Sequence, residues 1–325
     1  SAPSGPPPAP ARNVVNDDEQ GRDLADMTLG WSVTDENGKV LASGSTAFPA
    51  VPYYGRKYIE PDIQLPAFLP ADKTNAKLKL TLTENGTVRS QNEYELLLAR
   101  KEWNIGKISF AQSNKVLILD KDGEKSVLDF LNIPTIPVAS VQELVNPKQK
   151  AALCIVSGLD DCSDEEVALL RGYQAKGGKL LFLNCKDVIL KVYPEYIIGR
   201  FIPTEGDIVV PERLEAPIFD GIGTLELRYF NNNRREIPLA CNAVLKAIRH
   251  ENVTELASQM KIHAYIDGGK PEDRIARIES MRGLTLLGIR DGKGEAIVST
   301  MCTEKAHTDP VAGHLLANML KELIK

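Results

Sequence analysis

The stretch from Ser163 to Asn184, SDEEVALLRGYQAKGGKLLFLN, limits the folds open to this chain more than any other. It reads as a helix, a glycine turn and a strand. Ser163 with Glu166 three residues on makes a capping box, and Asp164 and Glu165 complement the positive helix N-terminus. Val167, Leu170 and Tyr173, with Leu169 alongside, recur at helical spacing and give one apolar face. Gly177 can take the left-handed conformation that ends a helix, and Gly178 loosens the chain before it turns back. Lys179 to Leu183 is a short apolar run of the kind found in strands covered on both faces, and Ala152 to Ser157 upstream is another. Strand, helix, strand in that order is a βαβ unit, which requires a parallel sheet with helices packed on it.

The rest of the C-terminal two thirds supports the same reading. Val116 to Asp120 is an apolar run, Ser126 to Leu131 reads as helix, and Pro137 to Ala139 as a short strand. Further strands are expected at Ile208 to Val210, Ile275 to Ser280, Leu284 to Ile289 and Ala296 to Thr300. A strong helix closes the chain, with Asp309 as its cap and Pro310 in its first turn. Ala312, Leu315, Leu316, Met319, Leu320 and Leu323 form its apolar stripe. Residues 115–325 thus predict a doubly wound α/β domain, with the tract from Glu205 to Ala264 unassigned.

Residues 13–104 differ in period. Leu29, Trp31 and Val33 alternate with polar neighbours, and Asn37-Gly38 supplies a hairpin turn because both residues tolerate positive φ. Lys39 to Ala42 then runs back, and Ile63 with Leu65 forms a shorter piece that Pro66 ends. Leu78, Leu80 and Leu82 alternate, Asn85-Gly86 makes a second turn, and Tyr94, Leu96 and Leu98 make another strand. Short strands at close spacing predict an immunoglobulin-like β-sandwich. The segment 1–12 is proline-rich, as a linker or the cut edge of a longer polypeptide would be, and 105–114 reads as a second linker.

A net charge of -5 gives no electrostatic reason to expect nucleic acid or an anionic membrane. No apolar run approaches the length that crosses a bilayer. Five cysteines without CxxC spacing argue against a disulfide framework and a zinc cluster.

Candidate chemistry is sparse. Cys185 stands just after a strand, where a nucleophile elbow would place it, but the residues two positions either side are Leu183 and Asp187 rather than small ones. A partner would have to come from His250, His263, His307 or His314, none in a His-x-Glu context. A buried structural thiol is the competing reading. The loop Lys121-Asp122-Gly123-Glu124 carries two acids, which repel phosphate, and no GxGxxG or GxxxxGK[ST] occurs. No nucleotide or other cofactor is therefore expected. Tyr53, Tyr54 and Tyr58 form one aromatic cluster, and Tyr229 with Asn231 and Arg234 lies in another. Such aromatic faces beside amides and guanidinium groups suit sugar rings, although tyrosines at this spacing also pack between strands. Asp160, Asp161, Asp164, Glu165 and Glu166 are accounted for by helix N-terminal charge, so no metal site is assigned.

RDLADMTLGWSVTDENGKVLASG, then Ile63 to Pro66, LKLTL and ARKEW, resembles the immunoglobulin-like domain that follows the catalytic barrel in glycoside hydrolase family 2 β-galactosidases. The carrying residues are Trp31, Gly38, Gly44, Pro66, Glu93-Tyr94 and Trp103. EEVALLRGYQAKGGKLLFL, APIFDGIGTLELRYFN and DPVAGHLLANMLKEL are similar to glutamine-amidotransferase-like domains appended to such enzymes. The resemblance implies a flavodoxin-like domain of the class I glutamine amidotransferase kind that lacks the amidotransferase nucleophile and serves subunit or domain contact. Its partners would be the catalytic barrel of the same polypeptide and a second copy in a homo-oligomer. It implies a periplasmic or secreted bacterial glycan-degrading system as well. Glycoside hydrolysis needs two opposed carboxylates, which this family holds in a (β/α)8 barrel that does not fit here. The expectation is a non-catalytic C-terminal region of a family 2 β-glycosidase. A carbohydrate-binding module using the tyrosines, and an amidotransferase or hydrolase using Cys185, are the alternatives.

Overall fold

The structure is a computed structural model that describes residues 12–59, 63–65, 69, 71–100, 103, 115–146, 148, 150–201, 208–230, 240–260 and 282–325. It is a β-rich mixed α/β chain that divides into two compact units, Ser1–Arg100 and Lys101–Lys325.

The first unit contains a four-stranded antiparallel sheet and a two-stranded antiparallel ribbon. The ribbon pairs β1 (Arg12–Val15) with β4 (Arg56–Ile59). The sheet has the order β3-β2-β5-β6, with β2 at Met27–Asp35, β3 at Val40–Phe48, β5 at Lys73–Glu84 and β6 at Thr87–Ala99. The expected alternation holds: Leu29 and Val33 face Leu82 and Leu78 across the strand pair, and all four are buried. Trp31 lies opposite Gly44, where a Cβ would stand 2.5 Å from the indole, so this glycine makes room for the ring.

The two hairpins differ. Asn85 and Gly86 both have positive φ, 49° and 77°, as a two-residue primed turn requires. At the first hairpin only Gly38 does, with φ 78°. Asn37 needs no left-handed backbone there, because the Asp35 carboxylate accepts the N–H groups of Asn37 and Lys39 and shapes a longer turn. Ile63–Leu65 is not a strand. Two alternating apolar residues are too few to secure a ladder, and Leu65 is exposed.

The second unit is built on a ten-stranded sheet. Its parallel part has the order β8-β7-β9-β10-β16: β7 is Val116–Asp120, β8 Ile136–Pro137, β9 Leu153–Ser157, β10 Lys179–Leu183 and β16 Gly294–Ser299. In register, Ile118, Ile155, Leu181 and Ile297 stand side by side. β15 (Arg282–Asp291) then runs antiparallel to β16 and continues into β11 (Ile197–Phe201), β12 (Val210–Pro211), β13 (Val244–Ala247) and β14 (Val253–Met260).

Helices cover both faces. Leu180 and Phe182 share a core with α2 (Val141–Leu144), α3 (Asp164–Ala175) and α4 (Val188–Val192). Leu181 and Leu183 point the other way, to the side where α6 (Pro310–Ile324) meets β10 and β16. The capping box at Ser163 is formed, and Gly177 has φ 103°. Asp309 accepts the N–H groups of Val311 and Ala312, and the whole predicted stripe of α6 is buried. The helix expected from Ser126 starts earlier, as α1 (Glu124–Phe130). The Asp120 carboxylate accepts the N–H groups of residues 122 to 125 and begins the turn at the strand end. The unassigned tract supplies β12, a 3-10 turn at Pro217–Phe219, α5 (Thr224–Tyr229), β13 and β14. The strand expected at 275–280 lies outside the described residues.

Candidate functional site

From β7 the chain crosses to β8 on one side of the sheet and returns to β9 on the other. In open α/β sheets the crevice outside the carboxyl ends of the strands at such a reversal is the usual ligand position. Here Asp122, in the loop after β7, ties three strand ends together. Its carboxylate accepts from Ser157 Oγ at 2.6 Å and from Asn184 Nδ2 at 3.2 Å. Gly158 next to Ser157 has φ 61°, and a Cβ there would lie 2.4 Å from the Asp122 carboxyl carbon. Both the backbone and the space call for glycine. Asn184 has φ 54°, its N–H donates to Ser299 O at 2.9 Å, and its Oδ1 has no partner among the described residues.

Beside this knot lie a buried carboxyl and a half-buried one. Glu124, the first residue of α1, is 2% exposed, and its Oε1 is unpartnered among the described residues. Burial, then the charges of Asp122, Glu304 and Asp120, push it up to about 8, against a hydrogen bond from Thr303 that lowers it. Glu304, in the short turn Thr303–Lys305, is raised as well, chiefly by burial. At neutral pH Glu124 is mostly a neutral acid that can donate a hydrogen bond. Among the described residues no group of three His, Cys, Asp or Glu side chains could hold a metal ion.

Cys185 lies beneath this surface. It is 1% exposed, its thiol faces Val156 O and Leu183 O at 3.3 Å each, and burial pushes it up to about 12. The left-handed turn between β10 and α4 falls on Asn184, one residue earlier, so the tip of the elbow is an amide and not the thiol. The described histidines are engaged elsewhere. The His314 ring nitrogens face Trp103 O at 2.6 Å and Asp220 O at 2.9 Å, with the Trp103 indole stacked on it at 4.3 Å. His307 packs on Phe130, and His250 on Tyr196. His263 is outside the described residues. The acid Asp161, in the cluster before α3, pairs with Lys191 at 2.5 Å.

Of the aromatic candidates, Tyr53 and Tyr54 come together, with ring centroids 4.2 Å apart, and Tyr54 is 77% exposed. Tyr53 N donates to Asp23 Oδ1 at 2.8 Å, which holds the turn that presents them. Tyr58, on β4, is exposed with the Arg56 guanidinium 5.9 Å from its ring centre. Tyr229 ends α5; its side chain, Asn231 and Arg234 lie outside the described residues. Sequence reasoning passed over Asp122, Glu124, Ser157, Asn184 and Glu304. The available signal was position: Ser157 ends a predicted apolar strand, Asn184 directly follows one, and Asp122, Glu124 and Glu304 come two to four residues after one.

No family profile matches the chain, and no curated protein does. Among solved structures, the chain is similar to a ThuA-like protein from Bacteroides uniformis, with a TM-score of 0.45 and 12% identity over 67% of this chain and 95% of that one. It is similar to a β-galactosidase from Bacillus circulans, with a TM-score of 0.37 and 13% identity over 64% of this chain and 31% of that one. A β-glucuronidase of glycoside hydrolase family 2 aligns with a TM-score of 0.24 and 14% identity over 53% of this chain. The chain spans 18% of that glucuronidase.

Proposed function

We propose that this chain is a non-catalytic accessory region of a family 2 β-glycosidase. In this reading 13–104 is an immunoglobulin-like sandwich and 115–325 a flavodoxin-like domain of the class I glutamine amidotransferase kind. The sequence resemblance supports the parent enzyme, and the parallel order β8-β7-β9-β10-β16, which is 2-1-3-4-5 in chain order of the parallel strands, supports the second domain.

One observation carries the non-catalytic part. At the strand-to-helix elbow where covalent chemistry would need a nucleophile stands Asn184, and the neighbouring thiol of Cys185 is buried and protonated. Glycoside hydrolysis fares no better, because the buried Glu124 and the half-buried Glu304 belong to one cluster instead of facing each other across an open cleft. The remaining role is contact: with the catalytic barrel of the same polypeptide or with a second copy. The test is co-purification of this chain with a separately expressed barrel of such an enzyme. A stable 1:1 complex is the expected result, and two independently eluting proteins with unchanged barrel stability would defeat the reading.

A further inference from the structure

The first unit holds a cleft of about 610 Å³ between the start of the chain after β1 and the inner face of the sheet. Its origin is legible in one strand. Ser90, Asn92 and Tyr94 of β6 lie opposite Leu82, Leu80 and Leu78 of β5, so they share the inward face with those leucines. Leu96 and Leu98, farther along the same strand and on the same face, are half-buried and buried. The inward side of β6 therefore changes from apolar to polar part-way along. The inner face of a closed sandwich is apolar along its length. Here Ser90 and Asn92 are exposed, and neither side chain is hydrogen-bonded among the described residues.

The opposite wall is firm. Asn16 is buried, and its Nδ2 donates to Arg22 O at 2.8 Å and Val51 O at 3.0 Å, which fixes the loop carrying Asp17. Leu29, Leu80 and Leu82 make the floor. Arg89 is the one cation among the described lining residues, and Glu84 holds it at 2.6 Å. Among the described lining residues the charge without an ion-pair partner is the Asp17 carboxylate, since Asp18 pairs with Arg22, so phosphate, sulfate and carboxylate ligands are disfavoured. What remains on offer is an apolar floor, a tyrosine, and a carboxylate, an amide and a hydroxyl in the lining. A size of 300–1,000 Å³ with a few placed polar groups is typical of small-ligand sites.

We propose that this cleft binds a neutral saccharide of one or two rings, its C–H face on the leucines and Tyr94 and its hydroxyls on Asp17, Ser90 and Asn92. A sugar ring supplies both halves of that match, an apolar face and an edge of hydroxyls that donate and accept. Neither Tyr53 nor Tyr54 lines this cleft, although Tyr54 N donates to Asn16 O of its wall at 2.9 Å, and the proposal does not depend on the accessory reading above.

The experiment is a titration of the whole chain, isotopically labelled, with cellobiose, lactose and maltose, followed by amide chemical shifts, with glucuronic acid and tetraethylammonium as charged controls. Saturable shifts at Asp17, Ser90 and Asn92 with at least one neutral saccharide are expected, with about tenfold weaker binding for Asn92→Ala. Because Asn92 is exposed and unpartnered, that variant should melt as the parent does, and Ser90→Ala gives a second reading. No saturable shift with any neutral saccharide overturns the proposal. So does saccharide binding that Asn92→Ala and Ser90→Ala leave unchanged while Tyr54→Ala abolishes it, or binding of a charged control alone.

Discussion

Glu124 shows how one side chain sets a pH dependence for the second unit. Its folded value of about 8 stands above the ordinary 4.5, so the folded chain keeps a proton that the unfolded chain releases between those values. Stability from this residue is fully present below about pH 4.5 and is lost as pH rises towards 8. Glu124→Gln removes the titration. Urea denaturation at pH 5 and pH 8 should show the parent losing more stability than the variant, by ~1 kcal/mol per pH unit across the window. Equal losses in both proteins would mean that Glu124 is not buried as an acid. Cys185 makes a second residue-scale case. In the native protein its alkylation by iodoacetamide should be far slower than that of the same thiol in urea, since the thiolate is scarce and covered. Rapid native modification mapped to Cys185 by peptide mass would contradict the burial.

At the scale of elements, the α6 helix and the β15–β16 hairpin carry the testable packing. Leu316 is fully buried in the α6 stripe, so Leu316→Ala should cost about 2–5 kcal/mol in urea denaturation. Asp309→Ala removes the cap on Val311 and Ala312 and should cost about 1 kcal/mol by the same measurement. The larger of the two losses distinguishes core packing from end-capping as the main anchor of that helix. Elements like these are legible from the sequence because their signals are local: a capping box, an apolar run, a stripe at helical spacing. β14 was not legible for a physical reason. Register shifts at Glu255, Ala257 and Ser258 break its alternation, and Leu256, Ala257, Ser258 and Gln259 are buried in succession. The strand-end cluster was hidden in another way. Asp122 and Glu124 read as an acidic loop, and only the sheet order brings Ser157, Asn184 and Glu304 to them. Cys185 was the visible candidate because a thiol invites chemistry, yet the elbow turn falls one residue before it.

At the scale of the whole molecule, the chain joins a β unit with an uncovered polar strand face to an α/β unit whose strand ends hold an amide, carboxylates and the buried acid Glu124. The proposed contact role requires that no activated nucleophile stand where this sheet would present one, and among the described residues none does. The account stands or falls on absence of turnover by the chain itself. Homogeneous protein should be incubated with 4-nitrophenyl β-D-galactoside and, separately, with L-glutamine, while nitrophenol and ammonia release are followed at pH 7. Rates equal to the buffer blank are predicted for both substrates; sustained turnover of either one would contradict the account.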